Sequence, residues 1–219
     1  MDRGALFKIK ILEIQNVLLS CIADAVEGAQ QAYKAGILHR DLSAGNIMIV
    51  KDKETQEWRG ILIDWDTRPL WGKHGGEPRS GRTGTWAFIS VQILRNKGPT
   101  VRHTRWDDIE SAFWVFVYEA LLYLKHDEFP GPLQTIFSRY SRLPDGSVVG
   151  GEGKLGVLAL CALDGVFLGL TQFENLGVNK LQDQLGKVFM ERYRKNGGIS
   201  INLDDPDEHG SLSVSGRRP

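Results

Sequence analysis

The sequence predicts a mainly helical fold carrying one small β-hairpin, and three observations predict it. Apolar residues Ile11, Ile14, Leu18, Ile22, Ala25 or Val26, Ala29 and Tyr33 recur at three- and four-residue spacing, the period of one helix face. A second apolar run, opened by Trp106-Asp107-Asp108-Ile109-Glu110-Ser111, continues through Phe113, Trp114, Val117, Leu121 and Leu122 with acidic residues at its positive amino end. Between these, Ile47-Met48-Ile49-Val50 and Ile61-Leu62-Ile63 are short apolar runs separated by the polar stretch Lys51 to Glu57, which reads as a hairpin turn.

Bulk properties bound the class. With 219 residues, 42% hydrophobic and 25% charged, the chain holds one good core or one lobe of a larger domain. Lys plus Arg and Asp plus Glu both number 27, so no global field argues for nucleic acid or an anionic membrane as partner. Cys21 and Cys161 sit inside apolar helix-like segments and read as core thiols of a reducing compartment, cytoplasmic or nuclear. The amino-terminal segment is broken by Lys8, Lys10 and Glu13 and lacks the continuous apolar centre of a signal peptide. The run Leu155 to Leu170 is too short for a bilayer and carries Asp164, so a buried helix is expected there.

In chain order, the first helix is expected to end at Gly36 and to hand the chain to Ile37-Leu38-His39-Arg40-Asp41-Leu42-Ser43-Ala44-Gly45-Asn46. Asn46 follows Asp41 by five positions, and the return strand of the hairpin delivers Asp64. Phosphoryl transfer from a nucleotide needs this set: one carboxylate to orient the attacking hydroxyl, and oxygen ligands to hold Mg²⁺ against the phosphates. Each residue alone is a common turn former or cap; their order and spacing together carry the reading. Thr67 to Gly84 is rich in Gly, Arg, Lys and Pro and predicts a surface loop, with Ser80 and Thr83 near Arg79 and Arg82 as candidate phosphosites. Further helices are expected over Phe129 to Tyr140, Leu155 to Leu170 and Val178 to Tyr193. From Gly197 the chain lacks apolar mass, so the expected division is one domain over 1–196 and a disordered tail over 197–219.

HRDLSAGN resembles the catalytic loop H-R-D-L-x-x-x-N of protein kinases, and Ile63-Asp64-Trp65-Asp66 stands where the magnesium-binding D-F-G stands. Together with RTGTWAFIS and RWDDIESAFWVFVYEALL, these motifs resemble the fungal-type protein kinase domain over roughly residues 10 to 125. The resemblance implies the carboxy-terminal lobe of a protein-kinase-like fold, with ATP and Mg²⁺ as cofactors and a Ser or Thr hydroxyl of a protein or peptide as acceptor. Asp41 is then the catalytic base, with Asn46 and Asp64 as metal and cofactor ligands. Arg40 adjoins the base and binds either an acidic or phosphorylated activation segment or a local carboxylate. Ser43 lies among the cofactor-binding positions where kinases present a Lys, a departure that removes one positive charge.

His39 is expected to be a packed structural residue. Trp65 and Asp66 replace the Phe and Gly of D-F-G; Asp66 serves as a second carboxylate or as a cap. Thr85 and Trp86 match the peptide-docking loop, whose Thr hydroxyl can bond the catalytic Asp. Ser90-Val91-Gln92 stands where A-P-E would be, and Gln92 cannot form the usual Glu–Arg ion pair. Asp107 or Asp108, not distinguished by sequence, is expected to hold the amides of the catalytic loop, with an ordinary helix cap as the alternative.

No Gly-rich strand turn, strand Lys or partner helix Glu precedes the loop. The resemblance therefore implies a lobe lacking its β-rich amino-terminal counterpart, needing that lobe or a partner chain. Two other readings stand beside it: a small-molecule phosphotransferase of the aminoglycoside or choline kinase type, and a non-catalytic, pseudokinase-like binding lobe.

Overall fold

The structure, a computed structural model, describes residues 3–65, 84–96, 103–126, 133–138, 140–162 and 173–195, with the side chains of the first helix described from Asn16 onward. Among them are helices α1 (Arg3–Lys34), α2 (Val91–Arg95), α3 (Arg105–Tyr123), α4 (Glu152–Ala162) and α5 (Leu176–Lys195). Two antiparallel pairs complete the set: β1 (Ile47–Lys51) with β2 (Trp58–Leu62), and β3 (Tyr140–Arg142) with β4 (Val148–Gly150). The mainly helical class holds, with a second small sheet that the sequence reading lacked.

The period read along α1 places Ile22, Ala25 and Ala29 in the core, and Cys21, read as a core thiol, is buried beside them. The helix stops at Gly36, whose φ of 81° gives the left-handed turn that frees Ile37 to bond back to the Ala32 carbonyl. The first hairpin lies directly on α1. A Cβ on Gly60 would stand 2.0 Å from the Cys21 carbonyl oxygen, so only glycine permits this approach. The Gly60 amide, freed on that side, donates to Asp24 Oδ2 at 3.0 Å.

Helix α3 runs through the centre of the core, with Phe113 to Val117 all buried. Phe113 stacks on Phe189 of α5, Trp114 meets Phe137 edge-on, and Tyr118 meets Phe88 and Phe137 the same way. Such aromatic pairs contribute about 0.5–1.5 kcal/mol each beyond their burial. Helices α4 and α5 touch where Gly186 lies against Cys161. Both cysteines are free and buried, and burial pushes the Cys161 thiol up to about 12, which keeps it unreactive.

Of the helix expected over Phe129 to Tyr140, residues 133–138 and Tyr140 lie among the described residues, and 133–138 is helical. Gln134–Ser138 makes a single π turn, and Tyr140 opens β3. Tyr140 leaves the expected helix because of the turn just beyond, in Leu143-Pro144-Asp145-Gly146-Ser147: Gly146 has φ 82°, and Asp145 Oδ1 accepts from the Ser147 amide and hydroxyl. That turn folds β4 back on β3 and draws Tyr140 into the strand pair. Helix α4 begins at Glu152, three residues before the expected start, and α5 covers the expected Val178 to Tyr193. Asp66, the loop positions Ser80 and Thr83, Asp164 and the tail over 197–219 lie outside the described residues. Among the described residues no helix is long and apolar enough to cross a membrane.

Candidate active site

The loop between α1 and β1 is held from α3. Asp108 Oδ2 accepts the His39 amide and Oδ1 accepts the Arg40 amide, both at 2.9 Å. Arg40 has φ 67°, a left-handed conformation that costs a non-glycine residue about 1–2 kcal/mol and persists because the pair of bonds fixes it. Burial drives the Asp108 carboxyl up to about 7, opposed by those two amides, which favour its ionised form. Asp107, its neighbour, turns the other way. Its Oδ2 accepts from the Thr104 amide and hydroxyl, and its Oδ1 from the Ser90 hydroxyl at 2.6 Å. The two acids that sequence could not separate thus have different tasks, loop clamp and helix cap.

His39 is buried at 1% exposure and joins both acidic segments. Its Nδ1 accepts the Asp41 amide at 3.3 Å, so the proton sits on Nε2, which donates to the Ile63 carbonyl at 2.8 Å. The ring meets Trp65 edge-on at 4.8 Å. Trp65, in the Phe position, packs against the core and donates its Nε1–H to the Leu62 carbonyl. Asp64 is exposed, with φ 62°.

Asn46 ties the remaining ends together. Its Nδ2 donates to the Asp41 carbonyl at 2.8 Å, and its own carbonyl accepts the Ile63 amide at 2.9 Å, one rung beyond the β1–β2 pairing. Asp41, Asn46 and Asp64 are therefore brought to one end of one hairpin. The Asn46 amide oxygen and the Asp64 carboxylate are hard oxygen donors of the kind Mg²⁺ takes. Among the described residues no group of three or more His, Cys, Asp or Glu could hold a metal ion by itself. Ser43 is buried at the start of the short turn Ala44–Asn46, its carbonyl accepting the Asn46 amide.

The segment from Gly84 reaches the same point. Asp41 Oδ1 accepts the Thr85 amide at 2.7 Å and the Thr85 hydroxyl at 3.0 Å. Gly84 has φ 114° and lies where a Cβ would stand 3.1 Å from the Arg40 carbonyl, so the approach requires glycine twice over. Trp86 follows, packed on Ile89, Ile93 and Leu94 and edge-on to Tyr140 at 6.3 Å.

With this geometry in place, comparison with known families is decisive: residues 8–120 match the family described as fungal protein kinase. The chain belongs to that family. No curated protein matches it. The matched span of this fungal protein kinase chain runs from α1 into α3 and contains Asp41, Asn46, Asp64, Thr85, Asp107 and Asp108. It stops before α5, which carries the residues that sequence reasoning missed. Arg192 donates to Gln92 Oε1 at 2.7 Å and lies 3.8 Å from Asp107 and 3.7 Å from Glu110. Gln92 cannot supply the charge, yet the anchor survives, because the two acids of α3 meet the guanidinium instead. Glu110 also accepts the Val91 amide, Trp114 Nε1 and the Tyr193 hydroxyl. Burial raises Glu110, and burial with the Glu110 charge holds Tyr193 well above its ordinary range.

Proposed function

We propose that this chain is the catalytic lobe of an ATP- and Mg²⁺-dependent protein kinase that phosphorylates Ser or Thr hydroxyls of protein substrates. The observation that carries this reading is the pair of hydrogen bonds that the Thr85 amide and hydroxyl donate to Asp41 Oδ1. It fastens a segment suited to peptide docking onto the residue suited to be the base. Oδ2 of Asp41 would accept the proton of the substrate hydroxyl, and Asn46, bonded to the Asp41 carbonyl, would keep that loop in register with the metal.

Bound Mg·ATP supplies the phosphoryl group; the Asn46 amide oxygen and the Asp64 carboxylate would hold the metal. The outer face of the hairpin, opposite the inward Ile47 and Leu62 by strand alternation, exposes Met48 (45%), Ile61 (44%) and Ile63 (37%) beside Asn46. That apolar surface suits a nucleobase. The cover over the phosphates and a charge-compensating Lys would come from a further lobe, on the same or a partner chain. The buried free thiols fit a reducing compartment, cytoplasm or nucleus.

The same open hairpin face supports a second reading, a binding lobe that docks a partner without chemistry. Calorimetric titration with Mg·ATP separates the two. Binding that Asp64→Ala abolishes, with peptide phosphorylation that Asp41→Asn abolishes once a nucleotide-covering lobe is supplied, is the expected result. Absence of nucleotide binding under those conditions favours the binding lobe. Phosphate transfer to an aminoglycoside or choline, with none to peptides, overturns the substrate class.

A further inference from the structure

We propose that Lys154 is a positioning residue: from α4 it fixes the docking segment Gly84 to Ser90, and through it the Thr85 contact on Asp41. Lysine is almost never fully buried without a partner, yet Lys154 has 0% exposure. Its Nζ donates to the Ile89 carbonyl at 2.6 Å and lies 5.2 Å from the Trp114 ring centre and 5.8 Å from that of Phe137. Burial disfavours the charge on Lys154 more than the buried Glu110 favours it, and the Glu110 oxygens are already taken by Val91, Trp114 and Tyr193. A leucine or methionine would fill the slot without the penalty of burying an amine. What the amine adds is a donor for one main-chain carbonyl.

That carbonyl is linked to the base in two further steps. The Ile89 and Phe88 amides both donate to the Thr85 carbonyl, at 3.2 and 2.8 Å, closing the turn between them. Thr85 in turn holds Asp41 Oδ1 through its amide and hydroxyl. Glycines at the start of α4 let it pack closely on the π turn and on α2, which fixes the helix that carries Lys154. A Cβ on Gly153 would stand 2.1 Å from the Thr135 carbonyl, and Gly151, at φ 92°, would meet Leu94 at 3.3 Å. Lys154 lies beyond residue 120, outside the span matched to the kinase family.

The role in substrate docking rests on the kinase reading above; the mechanical link from Lys154 to Thr85 does not. The test is Lys154→Met in the 219-residue chain, which keeps length and apolar stem and removes every N–H. Amide exchange over residues 85–89 is expected to rise roughly tenfold or more, the size of one lost hydrogen bond to a charged group, with exchange in the centre of α3 unchanged. Affinity for a Ser-containing peptide is expected to fall by about the same factor while Mg·ATP affinity holds. A folded variant with unchanged exchange at 85–89 overturns the proposal. If exchange rises but neither protein binds peptide, the link stands and the protein-substrate reading fails. Should the variant not fold, the wild-type chain decides by NMR. Slowly exchanging Nζ protons, coupled through the hydrogen bond to the Ile89 carbonyl carbon, support the proposal, and rapidly exchanging, uncoupled Nζ protons refute it.

Discussion

Glu110 accepts three hydrogen bonds in the interior, and its removal gives the sharpest prediction. It is fully buried, with Oε1 accepting from the Val91 amide at 2.9 Å and Trp114 Nε1 at 3.0 Å, and Oε2 accepting from the Tyr193 hydroxyl. Glu110→Ala strands all three donors and leaves Arg192 leaning on Asp107 at 3.8 Å. Each buried orphan costs about 1–3 kcal/mol, and water entering the new space recovers part of the sum. Breaking a buried charged arrangement costs about 3–5 kcal/mol, which sets the expected loss. Glu110→Gln keeps the volume and one acceptor oxygen for Val91 and Trp114. Its amide can only donate to Tyr193, whose own proton then lacks an acceptor, so about 1–3 kcal/mol is expected. Urea unfolding followed by tryptophan fluorescence measures both, with the slope checked for constancy. Equal losses for Ala and Gln, or a loss below about 1 kcal/mol for Ala, would show that this carboxylate does not anchor α2 and α5 to α3.

Gly60→Ala places a Cβ against the Cys21 main chain and lifts the hairpin from α1. A loss of about 1–3 kcal/mol in urea unfolding is expected, with weaker Mg·ATP binding because Asn46 and Asp64 ride on that hairpin; wild-type stability would refute the packing. Stability should also depend on pH through two buried groups. Asp108 titrates near 7 in the fold against 3.8 ordinarily, so the folded chain binds more protons between those values and stability falls as pH rises. Lys154 titrates near 7 against 10.5, so the unfolded chain binds more protons above 7 and stability rises. Lys154→Met is expected to flatten the alkaline limb by a few kcal/mol and Asp108→Asn the acid limb; a wild-type-minus-variant difference independent of pH refutes either. Asp64→Gly relieves a left-handed residue and is expected to hold or raise stability by up to about 1 kcal/mol while abolishing Mg·ATP binding; retained binding removes Asp64 from the metal site.

The helices and the first hairpin were legible because burial writes a period into the sequence. α1 buries Ile22, Ala25 and Ala29 at the spacing that predicts it. The second hairpin carried an equally plain signal, Pro144-Asp145-Gly146, which the apolar residues on either side concealed. Asp107 and Asp108 were legible as a pair and not singly, because adjacent helical residues point about 100° apart and only the packing tells which faces the loop. The anchor of Gln92 was illegible for a different reason: its partners Arg192 and Tyr193 lie 100 and 101 residues away. Lys154 was hidden most deeply, since a lysine at the start of an apolar helix reads as a solvent-facing end and nothing local reveals a carbonyl waiting 65 residues upstream.

The placement of strain bears on which reading of the site is right. Among the described residues three non-glycine positions have positive φ, and two of them, Arg40 and Asp64, adjoin or belong to the acidic set. The third, Gln56, sits in the exposed hairpin turn, where such a conformation is ordinary. Arg40 is held by the paired amide bonds to Asp108, and the carbonyls of Leu62 and Ile63, just before Asp64, are held by Trp65 and His39. Three buried or half-buried side chains thus keep two residues in conformations the chain would otherwise leave. A surface that merely docks a partner gains nothing from fixing the direction of one exposed carboxylate, whereas a metal site depends on it. The binding-lobe reading therefore predicts that loosening this arrangement, as in His39→Ala, leaves partner capture intact. The phosphotransferase reading predicts that Mg·ATP affinity falls first, before any change in global stability accounts for it.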